Sequence, residues 1–189
     1  LQRENDVPVR AALARAVAGS FPDSANALDL AAAILKSTGS AMGNSEGREG
    51  EESRQLREQA LSKVPGSHQH LLALYYFFLE HELADQAFEK IKACVSAHPE
   101  SALAQAELGA AFQRKQFMAE AEKCFEKAAA LDEAYLPRLA GFHELAGNRA
   151  RARELNQKLA GLGRLDPGTR FALALRRGEL DLAETILAE

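Results

Sequence analysis

His68 and His70 stand two residues apart, and two imidazoles so close could begin a metal site. Zinc also needs Cys, His or carboxylate ligands at short spacing, and none stands beside this pair. The remaining histidines, His81, His98 and His143, fall in separate segments. The pair therefore reads as a solvated helix start. Cys94 and Cys124 are too few for a disulfide framework and sit inside helical patterns, which makes them Ala-sized buried thiols. HExxH, GxSxG and Cys/His nucleophile arrangements are absent. The glycines of GSAMGNSEGREGEE, residues 39–52, lack the preceding strand, the spacing and the following lysine of a phosphate cradle. Gly161 and Gly163 read as a connector. These residues predict no catalysis, no cofactor and no metal.

Arg149, Arg151 and Arg153 alternate at a spacing of two, which on a helix spreads their charge over different faces. With Arg164, Arg170, Arg176 and Arg177 they could meet an acidic partner or a nucleic acid backbone, though a solvated outer surface accounts for them as well. The net charge of −4 gives no general pull toward nucleic acid. Residues 1–135 carry 14 basic and 20 acidic side chains, and residues 136–189 carry 9 and 7. No apolar run approaches the ~20 residues that span a bilayer, so this segment should not insert into a membrane. The compartment stays open between cytoplasm and periplasm.

The elements that carry these residues follow from an internal echo. Leu74 and Leu108, Phe78 and Phe112, Ala87 and Ala121, Ile91 and Phe125, and Cys94 and Ala128 are each 34 residues apart. A period of that length without strand signals predicts stacked helical hairpins, hence an all-α solenoid. The amphipathic runs predict helices at 69–80, 84–97, 103–115 and 119–131. Pro65 and Ala60 precede Pro99 and Cys94 by the same 34, so a helix over 52–64 is the second arm of an earlier hairpin whose first arm is 25–37. From Pro22 to Pro65 the spacing is 43, nine residues more than one repeat, and the surplus falls in 39–52. That stretch reads as a solvated loop, either a tolerated insertion or a partner contact.

Past residue 135 the period shortens: Ala121, Ala152 and Ala183 are 31 apart. Helices are expected at 135–146, 149–162, 170–177 and 180–188. At the other end, 9–19 reads as a second arm whose first arm is missing. The whole chain, 1–189, is thus one array of about ten helices: the arm 9–19, repeats 25–67, 68–101 and 102–135, and shorter repeats at about 135–162 and 168–189. Without polar caps at either end it reads as a segment of something longer, and self-association through open ends is conceivable.

With Ala102 as first position, Leu108–Gly109, Phe112, Ala121, Phe125 and Ala128 give a large–small pair, aromatic, small, aromatic and small residue. This resembles the tetratricopeptide repeat, and Leu74, Phe78, Ala87, Ile91, Cys94 and Pro99 match in the preceding unit. Tyr75 departs where that family prefers a small residue, Leu71 and Gln105 replace its tryptophan, and Asn156 stands where a bulky residue belongs. The resemblance implies a right-handed superhelix whose first arms line a concave groove for a protein or peptide.

Projecting the family's second, fifth, ninth, twelfth and thirteenth positions selects candidate partner-binding residues. They are Asp29 and Lys36, with Asn26 and Ala33; Gln69, Leu72, Tyr76 and Glu80, with Leu79; and Leu103, Ala106, Ala110, Gln113 and Arg114. The lysine and asparagine with which some family members grip a terminal carboxylate are replaced by Leu72 with Tyr76 and by Ala106 with Ala110. A small, apolar surface is expected, with Tyr76 as its one large amphipathic side chain. Tyr76 and Leu72 either anchor a ligand or pack on a neighbouring hairpin. The functional expectation is a non-catalytic scaffold or adaptor; the Ala-rich, Arg-over-Lys composition resembles that of bacterial proteins, which by analogy suggests a part of a larger envelope assembly or export machine. The alternatives are an accessory array that positions the substrate of an attached enzyme or membrane protein, and a nucleic-acid-binding solenoid.

Overall fold

The computed structural model describes the backbone of residues 2–41 and 48–161, and side chains over 8–37 and 50–160. The described residues form α-helices and one short 3-10 turn, with no strand. In chain order these are α1 (Gln2–Ser20), α2 (Ala25–Ala41), α3 (Arg48–Lys63), α4 (His68–Glu80), α5 (Ala84–Ala97), α6 (Ala102–Arg114), α7 (Met118–Leu131), the turn Glu133–Tyr135, α8 (Leu136–Leu145) and α9 (Arg149–Gly161). The expected helices at 170–177 and 180–188 lie outside the described residues.

Three hairpins turn in the same way, and the period of the sequence explains why. In each, an N–H reaches back to a carbonyl five residues earlier: Leu83 to Phe78 (2.8 Å), Phe117 to Phe112 (3.0 Å) and Asn148 to His143 (2.9 Å). Such a bond closes a helix end only if the residue before the donor is left-handed. Glu82, Gln116 and Gly147 occupy that place with φ of 58°, 64° and 78°. Glycine takes this conformation freely, while Glu82 and Gln116 carry a strain of about 1–2 kcal/mol each. The cap also brings an apolar residue onto the end of the first arm, and the Phe117 ring lies 6.3 Å from that of Phe112.

Three helix starts, those of α2, α6 and α9, are capped by short polar side chains. Ser101 Oγ accepts from Ala104 N (3.1 Å), Asn148 Oδ1 from Arg151 N (3.2 Å) and Ser24 Oγ from Ala27 N (3.3 Å). Each satisfies an N–H that the first helical turn leaves without a partner.

α2 pairs with α3, α4 with α5, α6 with α7 and α8 with α9, while α1 lies along α2. Arg15 of α1 also grips Glu52 of α3 through three bonds of 2.7–3.1 Å. Each apolar cluster runs from one hairpin into the next. Leu74, Tyr75, Phe78, Ile91 and Cys94 meet Ala104 and Leu108, and Phe125 meets Leu139, Phe142, Leu155 and Leu159. No hairpin thus completes its own core, which is the physical reason such units occur stacked.

Two expectations need correction. The stretch 39–52, assigned by composition to a loop, is helical at 39–41 and from 48 onward. Arg48, Glu49, Glu51 and Glu52 are good helix formers, and Glu51 and Glu52 are held by Arg54 and Arg15. Likewise, α1 runs N-terminal of Val9, through Pro8 to Gln2. A Cβ at Gly109 would lie 3.1 Å from the Phe125 ring, so its missing side chain seats that aromatic.

Candidate binding face on the first arms

Side-chain bonds connect first arm to first arm along the array. Lys36 of α2 pairs with Glu80 of α4. Tyr75 of α4 donates its hydroxyl proton to Glu107 Oε2 of α6 at 2.9 Å. Arg138 Nη1 of α8 donates to the other oxygen of the same carboxylate, Oε1, also at 2.9 Å. Four consecutive hairpins are thereby tied first arm to first arm.

Glu107 is the centre of this face. It is 7% exposed, and a buried carboxylate is tolerated only when both oxygens are occupied by donors. Tyr75 and Arg138 occupy them. The Tyr75 hydroxyl in turn accepts from Arg114 Nη2 at 3.1 Å. Glu107 and Arg114 are seven residues apart, two helical turns, so they share a face of α6. The fully buried Tyr75 phenol is held well above its ordinary pKa, first by burial and then, against the bond from Arg114, by the charge and hydrogen bond of Glu107. Tyr76 lies alongside, its ring centroid 4.9 Å from that of Tyr75. Its pKa is pushed up to about 12 by burial and by Glu107, with Arg138 opposing. Tyr76 is nonetheless 38% exposed, an aromatic with one edge packed and one edge free.

The predicted residues distribute unevenly over this face. Tyr76, Gln69, Glu80 and Arg114 are exposed, and Lys36, Leu103, Ala110 and Gln113 are half-buried. Leu72 and Ala106 are buried, at 7% and 0%, so they line the core between hairpins and are unavailable to a ligand. Asp29 faces its own hairpin: it receives Arg57 Nη1 of α3 at 2.9 Å, with both side chains largely covered. The expected apolar, alanine-lined track is therefore interrupted over α6 by the charged Glu107 cluster.

Glu107, Arg138 and Tyr75 were not among the predicted residues, although two signals pointed to them. Glu107 is the one charge in the run ALAQAELGAAF, and Tyr75 stands where a small residue was expected. Both anomalies are explained by the bond between them. Asn156, the other departure, is buried and donates to Glu144 Oε1 at 3.2 Å, so a polar contact replaces bulk there.

The histidine pair is divided. His68 Nε2 bonds Ser101 Oγ at 2.7 Å, while His70 Nδ1 bonds Ser67 Oγ at 2.8 Å. Among the described residues no three His, Cys, Asp or Glu side chains cluster as metal ligands, and no helix is long and apolar enough to cross a membrane. Cys94 is fully buried and its thiol is pushed up to about 11 by burial. Arg151 pairs with Glu154 at 2.7 Å, and Arg164, Arg170, Arg176 and Arg177 lie outside the described residues.

No protein-family model and no curated protein matches the chain in sequence. Solved structures do match in fold. PilF of Pseudomonas aeruginosa superposes with a TM-score of 0.66 at 16% identity, over 98% of this chain and 90% of that one. MamA gives 0.64 at 13% identity, over 85% and 90%. PilW, a type IV pilus biogenesis factor, gives 0.63 at 16% identity, over 99% and 86%. The architecture is thus that of the tetratricopeptide-like helical solenoids.

Proposed function

We propose that this solenoid is a non-catalytic scaffold that holds a protein or peptide partner against its first-arm face. The observation that carries the proposal is the contrast on that face between locked and open groups. Glu107 and Tyr75 are fixed by three hydrogen bonds of 2.9–3.1 Å, while Tyr76, Arg114 and part of Arg138 remain accessible beside them. A rigid base with an exposed aromatic and arginines is the composition that concentrates binding energy at protein interfaces. The fold shared with PilF, MamA and PilW agrees with a role in an assembly, and the pilus biogenesis role of PilW suggests a cell-envelope machine as the setting.

Affinity capture from the source lysate tests this. The double variant Tyr76→Ala, Arg114→Gln should lose the captured partner while circular dichroism stays unchanged. A second-arm control, Lys92→Gln with Ser96→Ala, should keep it. Equal capture by both variants would overturn the proposal.

A further inference from the structure

Lys36 and Lys115 each meet a single carboxylate, Glu80 and Asp85, and the buried Arg57 meets Asp29. The Glu107 cluster is different, because its one carboxylate bonds Arg138 directly and reaches Arg114 only through the Tyr75 hydroxyl. Arg138 takes Glu107 Oε1 directly, with 45% of its side chain still exposed. Arg114 forms no ion pair with a described residue; its bond goes to the neutral hydroxyl of Tyr75. Glu107 cannot neutralise both, since its second oxygen is filled by the Tyr75 proton.

From this we infer that Arg114 and Arg138 form a carboxylate-binding site, and that the partner brings an acidic group to this point of the first-arm face. The inference rests on the groove reading above and names the chemistry of its ligand. Arginine is suited to the role because its planar fork keeps donors free after one bond is made, and it binds carboxylates with two parallel bonds. The two arginines arrive from different hairpins, α6 and α8, and are linked through Tyr75 and Glu107 by three successive hydrogen bonds. Their positions are therefore set before a ligand arrives, which lowers the ordering cost of binding. Tyr76 stands next to the pair and offers an apolar surface to the residue flanking the acid. An incoming carboxylate would balance the excess positive charge that Glu107 leaves. This site differs from a grip built on the fifth and ninth repeat positions, which here are Leu72, Tyr76, Ala106 and Ala110.

Nuclear magnetic resonance of the arginine Nε–Hε groups tests the site with three capped pentapeptides. One carries a central glutamate and an amidated end, one a central glutamine and a free C-terminal carboxylate, and one a central glutamine and an amidated end. At least one acid-bearing peptide should shift Arg114 and Arg138 saturably, about tenfold more tightly than the uncharged one, a difference equivalent to about 1.4 kcal/mol. Which acid does so tells whether a side chain or a chain end is recognised. Arg114→Gln should remove that advantage while Arg151, which is paired on α9, shows no saturable shift in any titration. Equal binding of all three peptides, or no saturable shift at Arg114, overturns the carboxylate site. If lysate capture still depends on Tyr76, the scaffold reading stands without it.

Discussion

Tyr75→Phe is the most informative single change, because it deletes one oxygen from a ring that stays where it is. Tyr75 is fully buried, so Phe keeps its packing against Leu74, Phe78 and Leu108, and the apolar contribution is unaltered. What disappears is the 2.9 Å bond to Glu107 Oε2 and the 3.1 Å anchor of Arg114. Hydrogen bonds to charged groups contribute about 1.5–3 kcal/mol, and Glu107 is too covered for water to replace the lost donor freely. A destabilisation of about 1.5–3 kcal/mol is therefore expected, or about 3–12 °C in the unfolding midpoint at about 2–4 °C per kcal/mol for a chain of this size. Urea unfolding followed by circular dichroism measures it. Glu107→Gln and the double variant complete a cycle, and the two changes should couple by at least about 0.5 kcal/mol because the groups touch. A change within 0.5 kcal/mol for Tyr75→Phe, or strict additivity in the cycle, would refute the claim that this bond ties α4 to α6.

Three further expectations concern the frame. Gly147→Ala places a side chain at φ 78° with no atom within 4 Å of its Cβ, so thermal unfolding should report a purely backbone cost of about 1 kcal/mol, and Gln116→Gly should gain a few tenths to 1 kcal/mol. Gly109→Ala should destabilise by about 1–3 kcal/mol despite its better helix propensity, because the new Cβ sits 3.1 Å from the Phe125 ring; equilibrium denaturation showing a gain would mean that Phe125 yields freely. Asp29→Ala should cost about 3–5 kcal/mol by leaving Arg57 buried without its carboxylate, read in the same denaturation assay.

A fourth concerns the thiols. Both Cys94 and Cys124 have raised thiol pKa values, Cys94 through burial alone and Cys124 chiefly through burial. Only the thiolate reacts, so alkylation of the folded protein at pH 8 should be much slower than in urea, and for Cys94 slower than for Cys124. Equal rates in both states would show that the core around Cys94 opens readily.

The helices over 68–131 were legible because their apolar residues recur at both 3.6 and 34 residues, and the structure shifts their ends by one residue at most. The two ends of the stretch 39–52 depart from the loop reading because glycine content outweighs, in that reading, Glu51 and Glu52, whose ion pairs with Arg54 and Arg15 hold the start of α3; residues 42–47 lie outside the described residues. The candidate face follows from repeat position, which selects Tyr76 and Arg114, both exposed, but says nothing about what a neighbouring hairpin covers. Leu72 and Ala106 were lost for that reason. Glu107 and Arg138 were missed because their meaning lies in a contact between hairpins 31 residues apart, which no period within one repeat encodes.

The central claim is that partners engage the first-arm face, and site-specific photo-crosslinking tests it most directly. A benzophenone side chain introduced at Gln69 or Tyr76 on α4, and at Lys92 or Ser96 on the second arm α5, would be irradiated in the source lysate. The account predicts a discrete adduct of the same mass from Gln69 and Tyr76, competed by unlabelled wild-type protein, and none from Lys92 or Ser96. An adduct from the α5 positions alone would contradict it.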